Sequence, residues 1–239
     1  MSADRPTAIA LIPARGGSKR IARKNVRPFA GLPLIAHSIR TALRSGVFAR
    51  VIVSSDDAEI QRVAREHGAE APFTRPDDLS DDHATTEQVI HHALDWLEEH
   101  TGEVPANICC LYATAPLLSA ESLRQGLERL DAIGATTALS VTTFPFPPQR
   151  ALRQGEHERL AMLHPEHRKT RSQDLEELWH DAGQFYWLDV ARFRSCGTLY
   201  NDDMIGVVLP RHRVQDIDTL EDWKRAELLH ALIQQEDAE

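Results

Sequence analysis

Cysteine is scarce in this 239-residue chain: Cys109 and Cys110 stand side by side and Cys196 lies far from both. An odd number without metal-type spacing excludes a disulfide framework and reads as reduced thiols of a cytoplasmic protein. Within "NICCLY" the adjacent pair reads as core packing, not chemistry. Also missing is any apolar run long enough to span a membrane, and the polar start "MSADRPT" has no secretory core. Positive charge is in deficit, with 27 Lys and Arg against 36 Asp and Glu and a net charge of −9. That balance counts against a dedicated nucleic-acid binder. Neither of two familiar phosphate loops, G-x-x-x-x-G-K-[ST] and G-x-G-x-x-G, is present. Internal repeats and low-complexity tracts are lacking too.

What is present is an alternation of strand and helix patterns. "TAIALIP" (7–13) is a continuous apolar strand, and "LPLIAHSIRTALRSG" (32–46) an amphipathic helix with Pro33 near its first turn and Gly46 at its end. "RVIVSS" (50–55) and "DDAEIQRVAREHG" (56–68) repeat the pair. After a long loop, Val89, Ile90, Ala93, Leu94 and Leu97 mark one buried helical face. "NICCLY", a helix at 119–133 and "ATTALSVTT" (135–143) follow. Apolar strands alternating with helices predict an α/β fold with a doubly wound, mostly parallel sheet.

The alternation breaks at "FPFPPQR" (144–150), whose prolines cannot continue a central strand. From there to about 180 the chain is polar and charged, and reads as an inserted lobe (about 145–180) within one domain. Core-like sequence returns in "GQFYWLDV" (183–190) and the strand "MIGVVLP" (204–210). A last helix (219–235) opens with a Thr219/Asp222 pair of capping-box type.

Against the overall acidity, residues 15–27 carry six Lys and Arg in thirteen positions. Such a run is often a solvated loop, but this one follows the first strand, where an open parallel sheet binds ligands. Gly16 and Gly17 would let backbone N–H groups approach a phosphate, Ser18 would add a hydroxyl, and Arg15, Lys19 and Lys24 would neutralise a polyphosphate. Far along the chain, Asp216 and Asp218 are one residue apart. In an extended segment both carboxylates share a face and suit Mg²⁺; without context, such a pair also occurs on a solvated strand.

"IPARGGSKRIARKN", "RPDDLSDDHATT" (75–86), "LYATAPLL" (111–118) and "VQDIDTLEDW" (214–223) together resemble the CMP-nonulosonic acid synthetases, the CMP-sialic acid synthetase-like cytidylyltransferases, block by block and in order. The resemblance covers almost the whole chain and implies a Rossmann-like nucleotidyltransferase fold. It implies that Arg15, Ser18, Lys24 and Asn25 contact the phosphates and ribose of CTP, that Lys19 belongs to the same loop, and that Arg75 and Thr86 recognise the cytidine. Asp216 and Asp218 would hold the metal. The implied reaction is in-line attack of a sugar acid's anomeric hydroxyl on the α-phosphorus of CTP, releasing pyrophosphate. The general base stays open between one of the aspartates and a group on the metal.

The sugar-side blocks depart from the sialic acid pattern. Tyr112 stands where a glutamine is usual, ahead of Thr114, and Ala182-Gly183 replaces Asn-Gly. These changes, with "FPFPPQR", resemble the pseudaminic acid branch; N-acetylneuraminic, legionaminic and ketodeoxyoctonic acids, or a non-catalytic CTP-binding protein, are the alternatives. Arg171, Gln173, His180, Asp181 and Gln184 are candidates to read the sugar, or else lobe structure. "HPEH" (164–167) is a surface histidine pair, not a metal site. By the same resemblance the lobe pairs with its counterpart in a homodimer. Neither nucleic acid nor membrane is expected as a partner.

Overall fold

The computed structural model describes residues 8–236; the polar start and Thr7, the first residue of the expected opening strand, lie outside them. In chain order the elements are β1 (Ala8–Pro13), β2 (Pro28–Phe29), β3 (Leu32–Pro33), α1 (Leu34–Ser45), β4 (Phe48–Ser54), α2 (Ala58–Glu66), α3 (Thr86–Thr101), β5 (Asn107–Leu111), α4 (Ala120–Ile133) and β6 (Thr137–Thr143). They continue as β7 (Leu152–Gln154), β8 (Leu160–Met162), β9 (Trp179–Asp189), α5 (Val190–Cys196), β10 (Met204–Val208) and α6 (Leu220–Glu236). Boundary signals act as the residue types demand. Asp57, Thr85 and Ser119 cap α2, α3 and α4 through side-chain oxygens, and Gly46, Gly102 and Gly134 close α1, α3 and α4 at positive φ. Thr219 and Asp222 bond reciprocally at the start of α6.

The six-stranded sheet has the order β10-β6-β9-β5-β1-β4. Its strands are parallel except β9, which runs antiparallel to both neighbours. The cause lies in the connection. No crossover helix separates β6 from β9; the chain leaves Thr143, makes an excursion, and returns with Trp179 paired to it. The excursion holds only the β7–β8 hairpin and short 3₁₀ turns, and most of its residues are exposed. The start of β9 therefore sits beside the carboxyl ends of β1, β5 and β6, where a ligand is expected.

One apolar layer joins β1, β4 and β5 to α1, α2 and α4, and a second packs Ile90, Leu94 and Leu97 of α3 and Phe193 of α5 on the other face. Cys109 and Cys110 are fully buried, one in each layer, and burial pushes both thiols up, away from reactivity. The tightest joint is Gly126 of α4 against β9. A Cβ there would lie 2.5 Å from Trp187 Cδ1. Trp187 cannot withdraw, because its Nε1 donates to Leu123 O at 3.0 Å and its ring stacks on Phe48. Gly126→Ala gains about 1 kcal/mol of helix propensity but incurs roughly 1–3 kcal/mol of overpacking. The packing term is expected to win, lowering the urea midpoint; a raised midpoint would show that Trp187 yields.

Candidate active site

The cationic loop leaves β1 and crosses the carboxyl edge of the sheet. Neither Gly16 nor Gly17 adopts positive φ; the left-handed residue of the loop is Arg23, with φ 55°. Gly16 is needed for a different reason: a Cβ would meet Asp57 Oδ2 at 2.9 Å, while its N–H donates to Asp56 Oδ1 at 2.9 Å. Gly17 is exposed, with open space where a side chain would stand. Ser18 is half-buried, its N–H bonded to Gly16 O. Asn25 is buried and donates to Arg15 O at 3.0 Å, which clamps the two ends of the loop together.

Carboxylates meet nearly every cation of this loop. Arg15 pairs with Asp82 at 2.8 Å and donates to Asp81 O, and Lys19 also bonds Asp82. Lys19 and then Arg15 hold the Asp82 carboxyl below its usual range. Arg23 pairs with Asp57 and Glu59, and Arg20 pairs with Asp218 at 2.7 Å. Lys24 is the most enclosed. Its Nζ donates to Ile217 O at 2.7 Å and reaches Asp218 at 3.3 Å. The first and last loops of the site thus meet directly, 194 positions apart.

Arg75 is 5 % exposed and has no carboxylate bonded to it among the described residues. Its guanidinium donates to Ser54 O at 2.7 Å and Leu79 O at 3.3 Å, while Nε is left without a partner. Burial, and Arg15 nearby, lower its pKa. A buried cation with an unsatisfied donor is expensive unless a ligand acceptor arrives. Thr86, the first residue of α3, bonds the Tyr112 hydroxyl at 3.0 Å. Burial pushes that phenol up to about 12. The Tyr112 backbone is fixed by Ser38 Oγ, which donates to its carbonyl, and by its own N–H to Gln184 O.

Beside Tyr112, β9 begins with an irregular register opposite β6. Gly183 takes φ 60°, and Ser140 Oγ accepts from both Gln184 N and Phe185 N at 3.1 Å. This bulge turns Asp181 and Gln184 out of plain alternation. Asp181 accepts three hydrogen bonds: Gly183 N donates to Oδ1, and the Tyr186 and Tyr200 hydroxyls both donate to Oδ2. Gln184, 1 % exposed, donates to Ala182 O but leaves Oε1 unpartnered.

His180, Asp181 and Asp216 share a cleft of about 860 Å³ with Arg211 and Arg225. Burial, then the charge of Asp218, raises the Asp216 carboxyl above its usual range. Groups of three or more His, Cys, Asp or Glu placed to hold a metal are absent among the described residues. Thr114 is half-buried just past β5. Arg171 and Gln173 stand apart in the excursion; Arg171 pairs locally with Asp174, and Gln173 lines a neighbouring cleft with Phe144 and Arg211. His164 is exposed and His167 half-buried. Asp82, Arg20, Tyr186 and Tyr200 escaped the sequence reading, since their partners are distant or on other elements.

A family model described as cytidylyltransferase matches residues 9–193. The pseudaminic acid cytidylyltransferase of Campylobacter jejuni subsp. jejuni serotype O:2 is 42% identical over 222 residues, spanning 93% of this chain and 95% of that one. The N-acylneuraminate cytidylyltransferase of Escherichia coli O18:K1:H7 is 26% identical over 228 residues, 93% of this chain and 52% of that one. Among solved structures, CMP:2-keto-3-deoxy-manno-octonic acid synthetase complexed with CTP superposes with a TM-score of 0.65 at 17% identity, over 96% of this chain and 99% of that one. That last likeness concerns the fold.

Asp82 occupies two cations of the loop, Arg15 and Lys19, that an incoming polyanion would need. Asp82→Asn is therefore expected to tighten inorganic tripolyphosphate binding a few-fold by calorimetry. Unchanged or weaker binding would mean that Asp82 holds Arg15 and Lys19 in place instead of competing for them.

Proposed function

From a chain that belongs to the cytidylyltransferase family, we propose that the reaction is transfer of the cytidylyl group of CTP to pseudaminic acid, giving CMP-pseudaminic acid and pyrophosphate. The observation that carries the nucleotide half is the pairing of the cationic loop with exchangeable carboxylates. Arg15, Lys19, Arg20 and Lys24 rest on Asp82 and Asp218, and phosphate oxygens of CTP would take over these contacts. The same cations then neutralise the charge that grows on the departing pyrophosphate. Ser18 and Asn25 lie within this loop, beside the phosphates and ribose. Arg75 Nε, orphaned and buried, would meet a carbonyl of the cytosine, with Thr86 next to it.

On the sugar side the choice of pseudaminic acid rests on the 42% identity to the Campylobacter protein and on Tyr112 and Ala182. The phenol offers a ring and one hydroxyl where an amide would offer two polar ends, which suits apolar N-acyl and deoxy groups. Gln184 Oε1 is an acceptor in want of a donor, and His180 and Asp181 wall the adjoining cleft. The anomeric hydroxyl attacks the α-phosphorus, the bond to the bridging β-phosphate oxygen breaks, and pyrophosphate leaves. The residues achieve this by holding the two substrates in line.

Asp216 and Asp218 fit Mg²⁺ by the chemistry of their donors. They are two hard carboxylates, and burial, then the charge of Asp218, raises the Asp216 pKa, which a divalent cation would relieve; phosphate oxygens and water would complete its coordination. When bound, such an ion supplies further neutralisation of the phosphates. Moving Lys24 and Arg20 onto CTP would free Asp218 for it.

The excursion exposes Phe146 by 81%, Leu160 by 65% and Leu152 by 57%. Its apolar side chains would be covered by the same lobe of a second copy in a homodimer, the assembly proposed for a cytoplasmic enzyme. Light scattering is expected to give a dimer mass for the native chain and a monomer mass for Phe146→Asp/Leu160→Asp. A monomeric native chain would rule the assembly out.

Pyrophosphate release with CTP and Mg²⁺, with pseudaminic and N-acetylneuraminic acids offered in parallel, tests the reaction. Release with pseudaminic acid is expected, and Lys24→Ala or Asp218→Ala should cut it about 10²-fold or more with an unchanged circular dichroism spectrum. Release with N-acetylneuraminic acid alone would overturn the sugar assignment. Variants at native rate would overturn the roles of Lys24 and Asp218.

A further inference from the structure

A second cationic cavity lies outside the site just described, between α1, the start of α4 and α6. Its volume is about 530 Å³, and Leu32, Leu117 and Ile233 contribute apolar wall. Four guanidinium groups line it, from Arg40, Arg44, Arg124 and Arg213. Glu121 is the carboxylate on its wall, and Arg124 holds it at 2.8 Å. His37 and His230 add two rings whose pKa values burial lowers. Positive charge is therefore in excess here, in a chain whose net charge is −9.

Two of these charges, on Arg40 and Arg44, are answered by no carboxylate among the described residues, whereas Arg124 also donates to Ser45 O at 3.2 Å. Arg40 and Arg44 are one helical turn apart on α1, an arrangement that destabilises a helix by like-charge repulsion. Arg40 makes no hydrogen bond or ion pair with another described residue, and Arg44 reaches only Thr41 Oγ1, at 3.5 Å. The cavity also receives the start of α4, a 14-residue helix, at Ser119, Ala120 and Glu121. Its positive end adds to the same potential.

We infer that this cavity is a binding site for a small, multiply charged phosphate anion, a di- or polyphosphate, separate from the cationic loop. Arginine forks match phosphate oxygens bidentately, and several converge on a space too large for one phosphate group. The inference does not rest on the proposed reaction. Its position matters to that site, however. The helix that carries Arg40 and Arg44 also carries Ser38 and Thr41, which donate to Tyr112 O and Leu118 O.

Calorimetric titration with inorganic tripolyphosphate in about 50 mM salt, where screening is modest, separates the two sites. Native protein is expected to take up two equivalents. Arg40→Glu/Arg44→Glu, both exposed positions on α1, should lose one of them or weaken it at least tenfold, with pyrophosphate release unchanged. Lys24→Ala should keep the cavity equivalent. A single equivalent in the native protein that survives Arg40→Glu/Arg44→Glu would overturn the inference. So would a second equivalent that survives the double substitution, or the loss of both equivalents in Lys24→Ala.

Discussion

Six cations in thirteen positions repel one another, and the structure must hold them where a ligand can use them. The constraint is met mainly at one contact, where Lys24 Nζ reaches Ile217 O and the Asp218 carboxylate. Ile217 is itself fully buried with Ile21, Phe29 and Trp223, so the carbonyl that receives Lys24 is anchored in an apolar cluster. Arg27 lies over the Trp223 ring, 5.1 Å from its centre, on the same cluster. Apolar burial thus positions the cationic loop against α6, and the charges follow. The loop is fixed by what surrounds it, not by what it binds.

The other half of the site depends on the direction of β9. A strand that entered by a crossover helix would run parallel and bring its carboxyl end to the ligand edge. Because the chain returns directly from the excursion, the amino end of β9 arrives there instead, carrying His180, Asp181 and Gln184. The bulge at Gly183 then re-aims these residues, and three donors lock Asp181. A carboxylate held by three donors is a fixed acceptor wall.

Much of this was legible in the sequence. Periodicity placed α3 through Val89, Ile90 and Leu94, and capping chemistry marked the start of α6. The prolines after Thr143 marked the excursion. Strand direction was not legible, because a strand's residues carry its burial and only its connections carry its direction. Nor was Arg75, which by itself reads as a turn residue before Pro76. It is buried because Ser54 and Leu79 carbonyls from other segments receive it. Asp82 was equally hidden, since its partners Arg15 and Lys19 lie more than sixty positions away. Long-range pairing leaves no local pattern.

The site therefore divides by how firmly its charges are held. Arg15, Lys19 and Arg20 sit in exposed pairs, which water and salt weaken, so a phosphate can displace their partners at little cost. Arg75 is the reverse. Its desolvation is already incurred in folding, its two carbonyl contacts fix the guanidinium plane, and its free Nε can improve only by meeting an acceptor of the right position. An exchangeable region suits a triphosphate whose charge changes during reaction. A rigid, desolvated donor suits a base that must be told from its relatives, because an unpaired buried group penalises the wrong one. Cations of both kinds come from similar side chains, and burial together with the exchange of carboxylate for carbonyl partners separates them.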